Sequence, residues 1–369
     1  MLIKQFTAIN LRSLSLISFT PHNNINIILG KNNDGKTSLL EGLYFSSSLK
    51  SFKSVSNSSL IKNGQKSTKL LLNVAKNHEN ITINIEKHLK SSNSVKINES
   101  RSSAKDLLLS FPVLALNFGV ENIITGSSET RRSLLDWGSF HVEHSYIDLY
   151  KNFTKALKQR NSALKTKNPE NLGYWDDLFI EYGNKINTKR HDYFKLIDNH
   201  FIKYKEKILE ITPDVYADIK DSKLEYDKGW DTSLSLKESI NRNKEKDMIL
   251  KHTTAGPHRC DIYFSSNNNT LKDVASMSTQ IITGLLLVLS QAKVFHVEHN
   301  DKPIILIDDL FFGIDDKNLV LVINLLIDSG VQCFVTAPDL YKTKLEESTA
   351  GKDEIRTYEF KDKELKVIN

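Results

Sequence analysis

Along the first third of the chain, hydrophobic positions fall in short runs. Segments 2–9, 16–19, 25–29, 70–74 and 81–85 are apolar or alternating stretches of strand length with turn residues between them. Residues 91–103, dense in Ser, Asn and Lys, read as a hairpin or loop. From Tyr146 the period changes. Leu149, Phe153 and Leu157 recur every four residues up to Arg160, and Pro169 and Gly173 then interrupt the pattern. Leu178, Tyr182, Ile186, Tyr193, Ile197, Phe201, Tyr204 and Ile208 follow at spacings of three, four or seven. This predicts two long amphipathic helices packed as a hairpin. Beyond them come a strand near 260–264, an apolar helix over 281–295, an apolar strand over 304–307, a helix over 319–327 and a strand over 331–336. The expected fold is α/β, assembled from both chain ends: 1–115 as its N-terminal part, 116–248 as an inserted, mainly helical lobe, and 249–369 as its C-terminal part.

Composition narrows the class only a little. The 369 residues are 39% hydrophobic and 9% aromatic, ordinary for a globular protein with room for two domains. The longest apolar stretch, around 285–289, falls short of the roughly 18–20 residues a spanning helix needs, and the first residues lack the pattern of a signal peptide. With Cys260 and Cys333 alone there is no disulfide framework or CxxC pair, so a cytoplasmic location without a membrane partner is expected. Net charge is +5, yet residues 46–105 hold eleven Lys or Arg against three Glu. Such an excess can contact phosphate backbones in a salt-dependent way, or simply form a solvated face.

The chemistry begins where the 25–29 strand ends. Gly30-Lys31-Asn32-Asn33-Asp34-Gly35-Lys36-Thr37 is an unbroken GxxxxGKT, and Ser38 opens a helical run carrying Leu39, Leu40, Leu43 and Tyr44. Strand, glycine-rich loop and helix in that order make a triphosphate site, with backbone N–H groups on phosphate oxygens and phosphates at a helix N-terminus. Residues 30–38 are therefore the candidate ATP-binding segment. Lys36 offers charge to the β and γ phosphates, and the Thr37 hydroxyl is a candidate Mg²⁺ ligand. Asn33 stands where glycine is common, and Asn tolerates left-handed backbone well. A magnesium carboxylate is supplied by Ile304-Ile305-Leu306-Ile307-Asp308-Asp309, a buried-strand pattern ending in acids. Ligands of parallel sheets bind at the carboxyl ends of strands. By position Asp308 would hold Mg²⁺ with Thr37, and Asp309 would join Lys36 as a catalytic candidate by orienting or deprotonating the attacking water.

Phe-His-Val-Glu-His occurs twice, at 140–144 and 295–299. Two His and a Glu are metal-ligand types, but the HExxH spacing is absent, and a palindromic coding sequence explains the repeat better. In Gly256-Pro257-His258-Arg259, His258 is expected to support a turn and Arg259 to meet a partner or phosphate. For Arg131 and Arg132 the choices are DNA phosphate, nucleotide, or a salt bridge with Asp136. Trp137 and the tyrosines of the long helices are expected in the apolar core or seam rather than as stacking platforms.

A split head with a helical insert resembles the ABC-type ATPases of the SMC group, although the insert is far too short for SMC coiled coils. More specific strings resemble the RecF family: Lys50-Ser51-Phe52-Lys53, Arg131-Arg132-Ser133-Leu134-Leu135-Asp136-Trp137-Gly138, Leu157-Lys158-Gln159-Arg160-Asn161, Gly256-Pro257-His258-Arg259 and Ile307-Asp308-Asp309. The resemblance spans essentially the whole chain. It implies a DNA repair protein with a slow ATPase acting as a switch. Such a protein dimerises around ATP, recognises gapped or junction DNA in single- and double-stranded form, and acts with RecR and RecO to place RecA. It also implies that the signature serine meets the partner's γ phosphate, which here assigns Ser278. The family's SxGQ-like signature reads Ser276-Met277-Ser278-Thr279-Gln280, without its glycine. The family's Ser-Glu-Leu-Asp after the acids keeps only Asp315, and Ala115-Leu116-Asn117-Phe118-Gly119 lacks its Pro-Glu. These departures imply retained ATP binding with weaker dimerisation and hydrolysis. The rival reading is a non-hydrolysing DNA-binding scaffold in which ATP is structural or absent; an ABC transporter subunit fits poorly.

Overall fold

Ile25–Gly30 is buried at every position, as expected of a strand covered on both faces. The structure, a computed structural model, describes residues 1–52, 57–77, 79–116, 119–166, 169–211, 217–267 and 269–368. Its first strands are β1 (Leu2–Leu11), β2 (Leu14–Phe19), β3 (Ile25–Gly30), β4 (Ser67–Lys76), β5 (Glu79–His88), β6 (Ser94–Ile97), β7 (Ser100–Arg101) and β8 (Val113–Leu116). Then come β9 (Lys223–Asp227), β10 (Asp261–Ser266) and β11 (Asn269–Thr270). The last are β12 (Ile304–Ile307), β13 (Cys333–Pro338), β14 (Ile355–Lys361) and β15 (Glu364–Val367).

The chain forms two units, Met1–Glu121 with Gln280–Asn369, and Asn122–Thr279. The first is the α/β head built from both chain ends. One of its sheets is antiparallel, in the order β2-β1-β4-β5-β6-β7. The other runs β15-β14-β3-β13-β12-β8, parallel from β14 to β8 with β15 antiparallel at the edge. On β4 the residues Thr68, Leu70, Leu72 and Val74 point inward while Lys69, Leu71 and Asn73 face out, the alternation of a sheet wet on one side. One apolar core joins Phe6 and Leu70 of the first sheet, Leu39 and Leu43 of helix Lys36–Ser48, and Leu306 and Phe334 of the second. Buried Gln332 ties the sheets by accepting from Ile3 N at 2.7 Å and donating to the Ile3 carbonyl at 3.1 Å.

Helix Met277–His299 is more apolar than its densest segment indicated. By length and composition alone it could cross a membrane, with a mean hydropathy of 1.4 over 18 residues, but 78% of that window is buried within the protein. Its uncharged Thr283, Ser290 and Gln291 are fully buried, so the helix is apolar without being a continuous hydrocarbon run.

The second unit contains the expected hairpin, helices Tyr146–Thr166 and Pro169–Ile211, with helix Ser128–Val142 and the antiparallel sheet β11-β10-β9. Pro169 starts the second long helix instead of interrupting it, because a first-turn residue has no N–H partner to lose, and Gly173 lies inside the helix. The expected domain boundary at 249 moves to 280. Asp261–Ser265 on β10 pair with Lys223–Asp227 on β9, so these residues complete the inserted unit's sheet rather than returning the chain to the head. Of the residues singled out above, Lys53, Asn117 and Phe118 lie outside the described ones.

Candidate nucleotide site

The loop after β3 turns on two left-handed residues, Asn33 at φ 71° and Gly35 at φ 119°. A Cβ at Gly35 would stand 2.8 Å from Leu14 Cδ2, so both backbone and space require glycine there. Asp34 closes the loop by accepting from Lys31 N at 2.7 Å. Lys36, buried, donates its ammonium to the carbonyls of Gly30 at 2.5 Å and Lys31 at 3.0 Å, lying across the loop it belongs to. Thr37 is in the first turn of the following helix, whose N-terminal N–H groups carry partial positive charge.

Strand order brings the acids to this loop. Between β3 and β12 lies β13 alone, and all three strands are parallel, so their carboxyl ends share one edge. Thr37 Oγ1 donates to Asp308 Oδ1 at 3.3 Å across 271 sequence positions. Asp308 is buried and Asp309 exposed, the latter held in the left-handed region at φ 51°. Thr37 and Asp308 are hard oxygen donors side by side, the chemistry that suits Mg²⁺.

Three features of the site escaped sequence reasoning. Thr336 on β13 donates to Asp308 Oδ1 at 2.6 Å and accepts from Asp309 N at 2.8 Å. Its only sequence signal was a polar residue inside an otherwise buried run. Glu121 faces the same region: burial lifts its carboxyl above the ordinary range, and the negative charge of Asp309 adds to the effect. Finally, Asn32, Asn33, Lys36, Thr37, Ser38 and Asp309 border a cavity of about 1040 Å³ whose wall also takes in Arg12, Lys62, Gln65 and Leu89. Arg12 is anchored beside it by two 2.7 Å bonds to buried Glu41.

The other expected residues are placed differently. Ser278 belongs to the second unit, half-buried in the first turn of helix Met277–His299, where Ser276 accepts from Thr279 N at 3.2 Å in the manner of a cap. Asp315 caps helix Asp316–Ser329 by accepting from Asn318 N at 2.9 Å. Arg131 pairs in a fork with Asp261, at 2.8 Å for both bonds, instead of with Asp136; Arg132 donates to the Cys260 carbonyl at 2.7 Å. Asp136 is engaged by Arg190 at 2.8 Å and by the Tyr146 hydroxyl. Arg160 is fully buried between Asp176 at 2.7 Å and Asp247 at 2.8 Å. His258 donates from Nε2 to the Thr253 carbonyl at 3.0 Å, a turn support as expected, and Arg259 is exposed. Trp137 is half-buried over His141, with ring centroids 4.3 Å apart. Both Phe-His-Val-Glu-His strings include the last turns of helices, and among the described residues no cluster of three metal-capable side chains occurs.

A phosphate loop after β3 and paired acids after β12, parallel strands with β13 between them in a head closed by both chain ends, give the fold of an ABC-type ATPase head of the SMC kind. The Smc head of Pyrococcus furiosus matches it at a TM-score of 0.58 and 15% identity, over 100% of this chain and 96% of that one. A solved structure of the recombination mediator protein RecF with ATP, from the RecFOR pathway, matches at a TM-score of 0.80 and 22% identity, over 100% and 98%. The DNA replication and repair protein RecF of Francisella tularensis subsp. novicida (strain U112) is 31% identical over 344 residues, 92% of this chain and 94% of that protein. The chain belongs to the RecF family. No protein-family profile matches the sequence.

Proposed function

We propose that this protein is an ATP-dependent DNA-binding protein of recombinational repair and replication restart. It recognises gapped or junction DNA and acts with RecO and RecR in loading RecA. The observation that carries the reading is the meeting of Thr37, in the first helical turn after the phosphate loop, with Asp308, just past β12, 3.3 Å apart. The names of its relatives, DNA replication and repair proteins and a RecFOR mediator, support the pathway.

Residues 30–38 bind the triphosphate: loop N–H groups and the Lys36 ammonium meet its oxygens in place of the Gly30 and Lys31 carbonyls that Lys36 now contacts. Thr37 and Asp308 are the residues that would hold Mg²⁺, which when bound supplies charge neutralisation on the phosphates. Asp309 orients the attacking water or accepts its proton. Exposed Lys66, Lys90, Lys96 and Arg101 of the antiparallel sheet and its loops are the candidate contacts to DNA phosphates. A second reading, a scaffold in which ATP is not hydrolysed, draws support from Gln280 standing where the signature has glycine.

The test is DNA binding of wild type and Lys36→Ala to duplex, single-stranded and gapped substrates, at two salt concentrations, with and without ATP. Wild type is expected to favour gapped DNA only with ATP, and Lys36→Ala to lose both ATP binding and that preference. Binding that falls with salt but ignores ATP in both proteins would favour the scaffold.

A further inference from the structure

Asp308 and Asp309 carry the proposed metal and water roles from opposite environments, one buried and one exposed, and neither is held by its own strand alone. β12 ends at Ile307; the Asp308 N–H still donates to the Leu116 carbonyl of β8 at 3.2 Å, which fixes its backbone but not its carboxylate, and Asp309 is the first residue past the ladder. Asp309 also sits at φ 51°, a region sparsely populated by residues other than glycine, which persists only when surrounding bonds define it.

One side chain makes bonds to both. Thr336 is fully buried on β13, one residue past the Ile307–Val335 pairing and level with Ile28 of β3. A hydroxyl has one proton to give and lone pairs to receive with. The proton of Thr336 goes to Asp308 Oδ1 at 2.6 Å, and a lone pair receives the Asp309 N–H at 2.8 Å. Thr37 also reaches Asp308 Oδ1, at the longer 3.3 Å, but is itself a candidate metal donor. Thr336 is therefore the hydroxyl whose bond to Asp308 does not compete with metal binding.

We infer that Thr336 is the positioning residue of this site, setting the Asp308 carboxylate for the metal and the Asp309 backbone for the attacking water from β13, the strand between the phosphate-loop strand and the strand that leads to the acids. The inference rests on the nucleotide reading above and deepens it. Partners of this kind, one bond removed from the metal, typically change metal affinity by roughly 10- to 100-fold when lost.

Equilibrium ATP binding to the full chain, measured in Mg²⁺ and in EDTA, tests it. Thr336→Val keeps the shape and removes the hydroxyl. It should lose about tenfold or more of the Mg²⁺-dependent gain in affinity while its EDTA affinity stays within about twofold of wild type, and Thr336→Ser should keep the gain. A folded Thr336→Val with an undiminished gain overturns the inference and leaves the nucleotide reading standing. If Thr336→Val does not fold, as judged by thermal denaturation, Thr336→Ser decides: a retained gain supports the role, and a lost gain shows that shape, not the hydroxyl, matters. A wild-type chain that binds ATP no better in Mg²⁺ than in EDTA removes the metal reading and this inference together.

Discussion

His258 illustrates how burial, rather than residue type, decides what a titratable group does. Burial is the main cause that lowers its pKa from 6.5 to about 4; the bond to the Thr253 carbonyl works in the opposite direction, and the positive charges of Arg259, Arg132 and Arg160 add to the lowering. It is neutral in the folded protein near neutrality. The unfolded chain takes up the proton first as pH falls, so this histidine's contribution to stability is complete above pH 6.5 and is lost progressively down to about pH 4. The loss amounts to roughly 3 kcal/mol at about 1.4 kcal/mol per pKa unit. Urea denaturation of the full chain from pH 4 to 7 should show a steeper decline in wild type than in His258→Gln. Equal slopes would mean that the ring is not a buried neutral group. The sequence showed a turn here through Gly256 and Pro257, but the shift comes from atoms packed around the ring and has no local signal.

At the scale of elements, the strings that mark the family in the inserted unit are mostly packing and pairing devices. Gly138 ends the Arg131–Gly138 string because a Cβ there would come within 1.8 Å of Tyr193 Cζ, so helix Ser128–Val142 could not approach helix Pro169–Ile211 as it does. Arg160 sits on the inner face of the first hairpin helix, and Asp176 and Asp247 reach it from the second helix and from helix Lys244–Leu250. Taking away one partner of a buried pair leaves an uncompensated charge, typically at a cost of about 3–5 kcal/mol. Arg160→Met should therefore lower the stability of the full chain by that order in chemical denaturation, while ATP affinity stays at the wild-type level. A change below about 1 kcal/mol, the median range of exposed pairs, would contradict the buried-pair account. Periodicity displayed the hairpin because amphipathic helices write their faces into the sequence. It did not display these pairs, since a charged residue on an inward face looks like an error of period until its partner is known.

For the whole molecule, the open question is how far nucleotide drives assembly. Binding stabilises a dimer only through contacts made in that state, and Gln280 and Ser278 stand where a glycine-containing signature would let backbone approach a γ phosphate. Sedimentation with and without ATP is expected to show a chain that remains largely monomeric, with at most weak association at high concentration. Firm ATP-dependent dimers would show that the missing glycine does not weaken assembly. The boundary between the units teaches the same lesson as the site. Residues 249–279 read as a return to α/β character, and they are, but the strand at 261–266 pairs with β9 and stays within the insert.

The linear chain by itself determined the phosphate loop, the terminal acids, the order of most elements and the helical hairpin, because each depends on spacing within a few residues. Tertiary structure alone decided which strand stands between loop and acids, and hence that Thr336 bonds both. It also decided which carboxylate each buried arginine meets and where the insert closes. Those outcomes depend on pairing between separate elements, from Arg160 and Asp176, 16 positions apart, to strands β3 and β13 at opposite ends of the chain, and a local pattern is compatible with many partners until the packing selects one.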